Sequence, residues 1–183
     1  DKVEKLAFSL LELYAEREAS QGFAFDKDGP EQLEFEREFK FTDTIDQVKV
    51  TEEIKKDMEN SIPMDRILCG DVGFGKTEVA FRAMFKAVLS GKQVAMLCPT
   101  TILSKQHYNN ALERFKSFAV YIVILNRFVS SAEQKKIMSD IKEGKVDIVI
   151  GTHRILSDDI TFKDLGLLVV DEEQRFGVKH KEK

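Results

Sequence analysis

The run Gly70-Asp71-Val72-Gly73-Phe74-Gly75-Lys76-Thr77 fits the pattern G-x-x-x-x-G-K-[ST] at every fixed position. No other stretch of the chain restricts its fold so tightly. Three glycines allow the backbone to curl and turn successive N–H groups towards one anion. Such a loop joins a strand to a helix whose N-terminus favours negative charge. The flanks supply both: Arg66-Ile67-Leu68-Cys69 predicts a short buried strand, and Lys76 to Leu89 predicts a helix. In that setting Lys76 reaches the β- and γ-phosphates of a nucleotide, and the Thr77 hydroxyl ligates Mg²⁺.

Strands and helices alternate after the loop. Val94 to Cys98 reads as a strand, residues 102–116 as a helix, and Val120-Tyr121-Ile122-Val123-Ile124-Leu125 as a continuous apolar strand. A helix over 132–143, a strand over 146–150 and another over 167–170 follow. Continuous rather than alternating apolar runs mark strands buried on both faces, as in a parallel sheet covered by helices. Before the loop, Val3, Leu6, Leu10 and Leu13 repeat at helical spacing up to a stop at Gly22. Residues 23–41 read as a connector, and a second helix runs over 46–59 before Ser61-Ile62-Pro63. The fold class is α/β, with a helical extension at the N-terminus.

Composition narrows the setting. The 183 residues are 43% hydrophobic and 33% charged, with no run near the twenty apolar residues that a membrane span needs. No signal peptide is visible at Asp1-Lys2-Val3-Glu4-Lys5, and without an initiator Met the chain is expected to be a piece of something longer. Cys69 and Cys98 each end an apolar run and read as buried, reduced thiols in a cytoplasmic protein. His107, His153 and His180 have no zinc-ligand spacing. Residues 1–60 carry 9 Lys/Arg against 17 Asp/Glu, and residues 61–183 carry 19 against 15. A mildly basic body behind an acidic lead permits nucleic-acid contact without establishing it.

Leu167-Leu168-Val169-Val170-Asp171-Glu172-Glu173-Gln174 is a hydrophobic strand that delivers acids at its C-terminal end, the edge where a phosphate loop lies in an open α/β sheet. Asp171 is then a candidate Mg²⁺ ligand opposite Thr77, and Glu172 a candidate to orient or deprotonate the attacking water. Together the two motifs indicate ATP hydrolysis rather than anion binding alone. A GTPase is disfavoured because no Asn-Lys-x-Asp guanine-reading element occurs. A small-molecule kinase needs neither the consecutive acids nor the motifs that follow.

Asp171-Glu172-Glu173-Gln174 with Gly70 to Thr77 resembles motifs II and I of superfamily 2 helicases and translocases. Pro99-Thr100-Thr101 resembles motif Ia, and Gly151-Thr152-His153 with Arg154 resembles a later DNA-contacting motif. In that superfamily both loops hold the phosphate backbone of one strand, positioning the motor without reading sequence. Phe41 and Thr44-Ile45-Asp46-Gln47 resemble the adenine-reading element, with Gln47 pairing the adenine edge and Phe41 stacking on the ring. Thr44 also suits a helix N-cap. Relatives usually have Pro where Ile45 stands. Leu11-Glu12-Leu13-Tyr14-Ala15-Glu16-Arg17, Gly22-Phe23-Ala24-Phe25, Met64-Asp65-Arg66, Gln106-His107-Tyr108, Arg127-Phe128, and the stretch from Phe162 through Arg175-Phe176-Gly177-Val178 narrow the resemblance to the bacterial transcription-repair coupling factors. The helicases that reverse stalled replication forks share the motor motifs but not the lead helix. Gln174 departs from the His common at that position.

The resemblance implies a RecA-like parallel sheet flanked by helices: residues 1–40 as linker helix and connector, residues 41–183 as the first RecA-like lobe, cut after motif II. It implies ATP and Mg²⁺ as cofactors, with Gln174 beside the nucleotide. Duplex DNA backbone, a second RecA-like lobe, RNA polymerase and excision-repair proteins are the implied partners, in the bacterial cytoplasm. The family uses ATP to move on double-stranded DNA and push stalled RNA polymerase off the template. A lobe without its partner lacks the arginine finger, so weak Mg-ATP binding and very slow hydrolysis are expected. Family topology also inserts a later strand between those of motifs I and II, so the sheet here is expected to carry unpaired edges.

Overall fold

The computed structural model describes residue 15, residues 20–70, residue 73 and residues 75–172. The predicted lead helix, from Val3 to its stop at Gly22, lies outside the described residues at 1–14 and 16–19, as do Asp71, Val72, Phe74 and everything from Glu173 onward. The chain divides into two compact units, Asp1–Ala83 and Met84–Lys183, with the boundary inside one helix.

In the first unit, α1 spans Pro30–Arg37 and α2 spans Ile45–Met58, while α3, Lys76–Leu89, begins here. The connector expected over 23–41 is therefore partly helical. Pro30 sits at the first helical position, where its fixed φ helps and its missing N–H costs nothing, and α1 buries Gln32 and Phe35 on one face. The segment before α1 is pinned to the end of α2: the Gly22 amide donates to the Ser61 carbonyl at 2.7 Å and Phe25 to Met58 at 2.9 Å. Thr44 caps α2 through a full capping box. Its hydroxyl accepts from the Gln47 amide at 3.2 Å, and the Gln47 Oε1 accepts from the Thr44 amide at 2.8 Å. Ile45 is the first residue of α2, a place that suits proline but does not require it.

The strand predicted over 66–69 does not form. A strand exists through its ladder, and these residues have no strand partner among the described residues. Ile67 is 74% exposed and Cys69 is exposed too, so that thiol is not the buried one expected. Arg66 is held instead by α2, donating to Asp57 at 2.7 Å and to Glu53 at 2.9 Å.

The second unit carries the sheet. Strands β1 (Gln93–Leu97), β2 (Ile122–Leu125), β3 (Ile148–Gly151) and β4 (Leu165–Val170) are all parallel, in the order β2-β3-β1-β4. Helices α4 (Thr101–Arg114) and α5 (Ser131–Lys142) cross between strands, and a 3₁₀ turn, His153–Leu156, follows β3. Ala95, Val123, Leu125 and Val149 share a core with Ile137 and Ile141 of α5. The alternate residues Val94, Met96, Ile122, Ile148 and Ile150 are buried as well, so both faces are covered, as continuous apolar runs require. Gln93 is buried at the start of β1 with its amide fully used: Nε2 donates to the Ile141 and Val146 carbonyls at 2.9 Å each, and Oε1 accepts from the Asp164 amide at 3.0 Å. Strand β4 pairs with β1 alone among the described residues and is half exposed along its length.

Candidate functional site

In the first unit, the described glycines of the phosphate loop have the backbone that the motif needs. Gly73 and Gly75 have φ of 88° and 79°, where any other residue is strained. The Gly75 carbonyl accepts the Glu78 amide at 3.0 Å, opening α3 directly behind the loop. Lys76 stands at the first position of α3 and its Nζ donates back to the Gly70 carbonyl. Gln47 is brought against this loop. A Cβ at Gly75 would meet the Gln47 Nε2, so that side chain lies directly against the loop, and the positive φ of Gly75 is what favours glycine there. The predicted adenine reader and the phosphate loop thus belong to one structural unit. The Gln47 amide is buried and its oxygen serves the capping box. Phe41 is 75% exposed and packs edge-on against Phe39, centroids 5.6 Å apart.

Behind that aromatic pair lies a network that sequence reasoning missed. Arg82 is buried in α3 and donates to Glu78 at 2.9 Å and to both oxygens of Asp43 at 2.9 and 3.0 Å, with its guanidinium 5.3 Å from the Phe39 ring centroid. Burial opposes its charge, but the two carboxylates outweigh this and hold its pKa above the ordinary value. Glu78 and Arg82 are four apart on a helix, a pairing the sequence displays. That Asp43 closes the network is visible only in three dimensions.

In the second unit, the predicted strand-end residues all open at one edge of the sheet. The parallel register sets Leu97 beside both Gly151 and Val170, and Gly151 beside Leu125. Hence Pro99-Thr100-Thr101, Thr152-His153-Arg154 and Asp171-Glu172 leave the sheet at the same carboxyl edge. Thr100 caps α4, its hydroxyl accepting the Leu103 amide at 3.1 Å. Gly151 is needed where it stands, because a Cβ would run into the Leu125 carbonyl oxygen. Thr152 starts the 3₁₀ turn and His153 is exposed on it. Arg154 is committed within the protein: it pairs with Asp159 at 2.6 and 2.8 Å and donates to Gln134 at 2.9 Å, which shapes this loop.

The Asp171 amide extends the ladder to the Leu97 carbonyl at 2.9 Å, and its Oδ2 lies 2.7 Å from the His107 Nε2. Glu172 has a φ of 49°, a left-handed backbone that few non-glycine residues adopt and that often accompanies functional sites. Burial, with the Asp171 charge adding to it, pushes the Cys98 thiol up to about 12. Gln174 lies outside the described residues. The sequence offers no sign of this role for His107, because its partner is 64 residues away.

These features define a class. A family model described as DEAD/DEAH box helicase matches residues 44–183, and the chain belongs to that family. The family implies nucleotide binding with a divalent metal. More particularly, the chain is 58% identical over 181 residues to the transcription-repair-coupling factor of Bacillus subtilis (strain 168), and 56% identical to that of Staphylococcus aureus (strain USA300). Each alignment takes in 99% of this chain but only 15% and 16% of the relative, so the chain spans about a sixth of those proteins. A structure described as RecG bound to a three-way DNA junction superposes with a TM-score of 0.85 at 38% identity, covering 91% of this chain and 23% of that one. The RecA-like parallel sheet is thereby established. No helix among the described residues is long and apolar enough to cross a membrane.

Proposed function

We propose that this chain is the ATP-binding motor lobe of a double-stranded DNA translocase, one that displaces stalled RNA polymerase and couples transcription to excision repair in the bacterial cytoplasm. The observation that carries this reading is the single carboxyl edge of the sheet, from which the 99–101, 151–154 and 171–172 segments all emerge. A motor needs its hydrolytic acids and its DNA loops on one rigid element, so that a change at one is felt at the other. The 58% identity to coupling factors, against 38% to RecG, favours transcription coupling over fork reversal.

In this reading the phosphate loop from Gly70 to Thr77 wraps the phosphates, with Lys76 against the β- and γ-phosphates. Gln47 and Phe41 take the adenine, supported from behind by Phe39 and Arg82. Thr77 and Asp171 would each offer an oxygen to Mg²⁺, and Glu172 would orient the attacking water and take its proton. Gln174 links nucleotide and DNA responses. Mg²⁺, when bound, would supply charge neutralisation at the phosphates. The residues present fit that ion: one hydroxyl and one carboxylate are the hard oxygen donors Mg²⁺ takes alongside water and phosphate. Thr100, Thr101, Thr152, His153 and the adjoining backbone amides meet the DNA phosphates, and Pro99 and Gly151 set the loop geometry. Arg154 acts first through loop shape, given its pairing with Asp159. The second lobe supplies the arginine finger, and further domains supply the polymerase and repair contacts.

The test is ATP turnover by the intact protein with and without duplex DNA. Wild type should be stimulated by duplex. Glu172→Gln should still bind ATP while turnover falls by about a hundredfold or more. Duplex-independent turnover in wild type, or unimpaired turnover in the Glu172→Gln variant, would remove the reading.

A further inference from the structure

We infer that His107 is a positioning residue for the Asp171 carboxylate, fixing the orientation in which that group meets a divalent cation. The inference rests on the reading of Asp171 as a metal ligand and goes beyond it to a residue on a different element.

The geometry starts from what β4 does not fix. Pairing of the Asp171 amide with the Leu97 carbonyl holds the backbone at the sheet edge, but it leaves the side-chain torsions of Asp171 undetermined. His107 supplies a constraint, with its Nε2 2.7 Å from the Asp171 Oδ2. The contact is short and largely shielded, the His107 side chain being 10% exposed and that of Asp171 29%.

His107 is itself held firmly. It lies on α4 two turns after the Thr100 cap, and the intervening Ser104 donates to the Thr101 carbonyl at 2.9 Å and accepts from the Asn126 side chain at 3.3 Å. A rigid helix therefore delivers the imidazole, and the imidazole delivers the carboxylate orientation.

The other ring nitrogen separates this role from packing. The His107 Nδ1 is buried and no described residue hydrogen bonds to it. Were the residue there only to fill space, an aliphatic side chain would do so without burying an unmatched nitrogen. The tautomer with its hydrogen on Nε2 leaves a lone pair, rather than an N–H, unmatched at Nδ1. That tautomer donates to Oδ2. The Oδ2 oxygen is then held by His107, and the plane of the carboxylate is set with it. Hydrogen bonds of this kind to ligating carboxylates tune metal affinity in other sites, typically by 10-fold or more.

Two variants separate donation from volume. His107→Leu keeps the apolar bulk and loses the donor, while His107→Gln keeps an N–H at similar reach. Binding of a fluorescent, non-hydrolysable ATP analogue to the intact protein is measured across a Mg²⁺ series, without DNA, for both variants, wild type and Asp171→Asn. The proposal expects the half-saturating Mg²⁺ concentration to rise about tenfold in His107→Leu. It also expects metal-free analogue binding to stay at the wild-type level, and His107→Gln to recover most of the loss. Asp171→Asn should raise the half-saturating concentration by at least as much. A shift in Asp171→Asn with none in His107→Leu overturns the proposal and leaves the metal-ligand reading standing. Equal losses in the Leu and Gln variants, or a loss of metal-free binding, assign His107 to packing and overturn it too. An unchanged Mg²⁺ dependence in Asp171→Asn removes the metal-ligand reading, and the proposal falls with it.

Discussion

The Cys98 thiol is buried at the end of β1 near the Asp171 charge, and burial chiefly, then that charge, raises its pKa to about 12. The reactive species is the thiolate, so at pH 8 only about one Cys98 in 10⁴ is available even before steric shielding is counted. Cys69 is exposed. A chromogenic disulfide reagent at pH 8 should therefore label one thiol promptly and a second only after denaturant is added, with the prompt label mapping to Cys69. Prompt labelling of both would contradict the burial described for Cys98. The two cysteines follow similar apolar runs, and the sequence gives no way to tell them apart. What separates them is pairing: β1 has a strand on either side, whereas residues 66–69 have none among the described residues. The same limit hid the Asp43–Arg82 pair and the His107–Asp171 contact, whose members lie far apart in the chain.

At the scale of elements, local signals were strong enough to read. Helix α3 begins at Lys76 and ends at Leu89 as its apolar spacing and the phosphate loop predict, and the four strands of the sheet fall within a residue or two of their apolar runs. Helix α1 was missed because the segment before it is rich in charges and phenylalanines, although Pro30 after Gly29 marks a helix start once Phe35 is known to be buried. The Thr44 cap was legible, and it carries a prediction. Thr44→Ala removes the hydroxyl that satisfies the Gln47 amide and should destabilise the first unit by about 1 kcal/mol, while Thr44→Ser should cost far less. Urea midpoints for the three proteins check this. Gln47 both completes the capping box and lies against Gly75, so the alanine variant should also weaken ATP binding, read by titration with a fluorescent analogue.

At the scale of the whole molecule, the carboxyl edge and strand β4 matter most. The expectation that family topology leaves unpaired edges bears on β4, which pairs only with β1 among the described residues and exposes 48% of Leu168. An apolar strand edge is a template for further pairing. The 183-residue chain in isolation should therefore associate as its concentration rises, and Leu168→Lys should suppress that association; sedimentation velocity over a hundredfold concentration range is the measurement. The sequence by itself determined the phosphate loop, the order of strands and helices, and the acids at the end of the last strand, because each is written in contiguous residues with a fixed local geometry. Only the tertiary structure decided that residues 66–69 find no strand partner among the described residues, that Gln47 packs on Gly75, and that His107 grips Asp171. Those outcomes depend on which residues meet across long separations in the chain. Pairing, burial and charge at such meetings are properties of the folded surface, which no local pattern encodes.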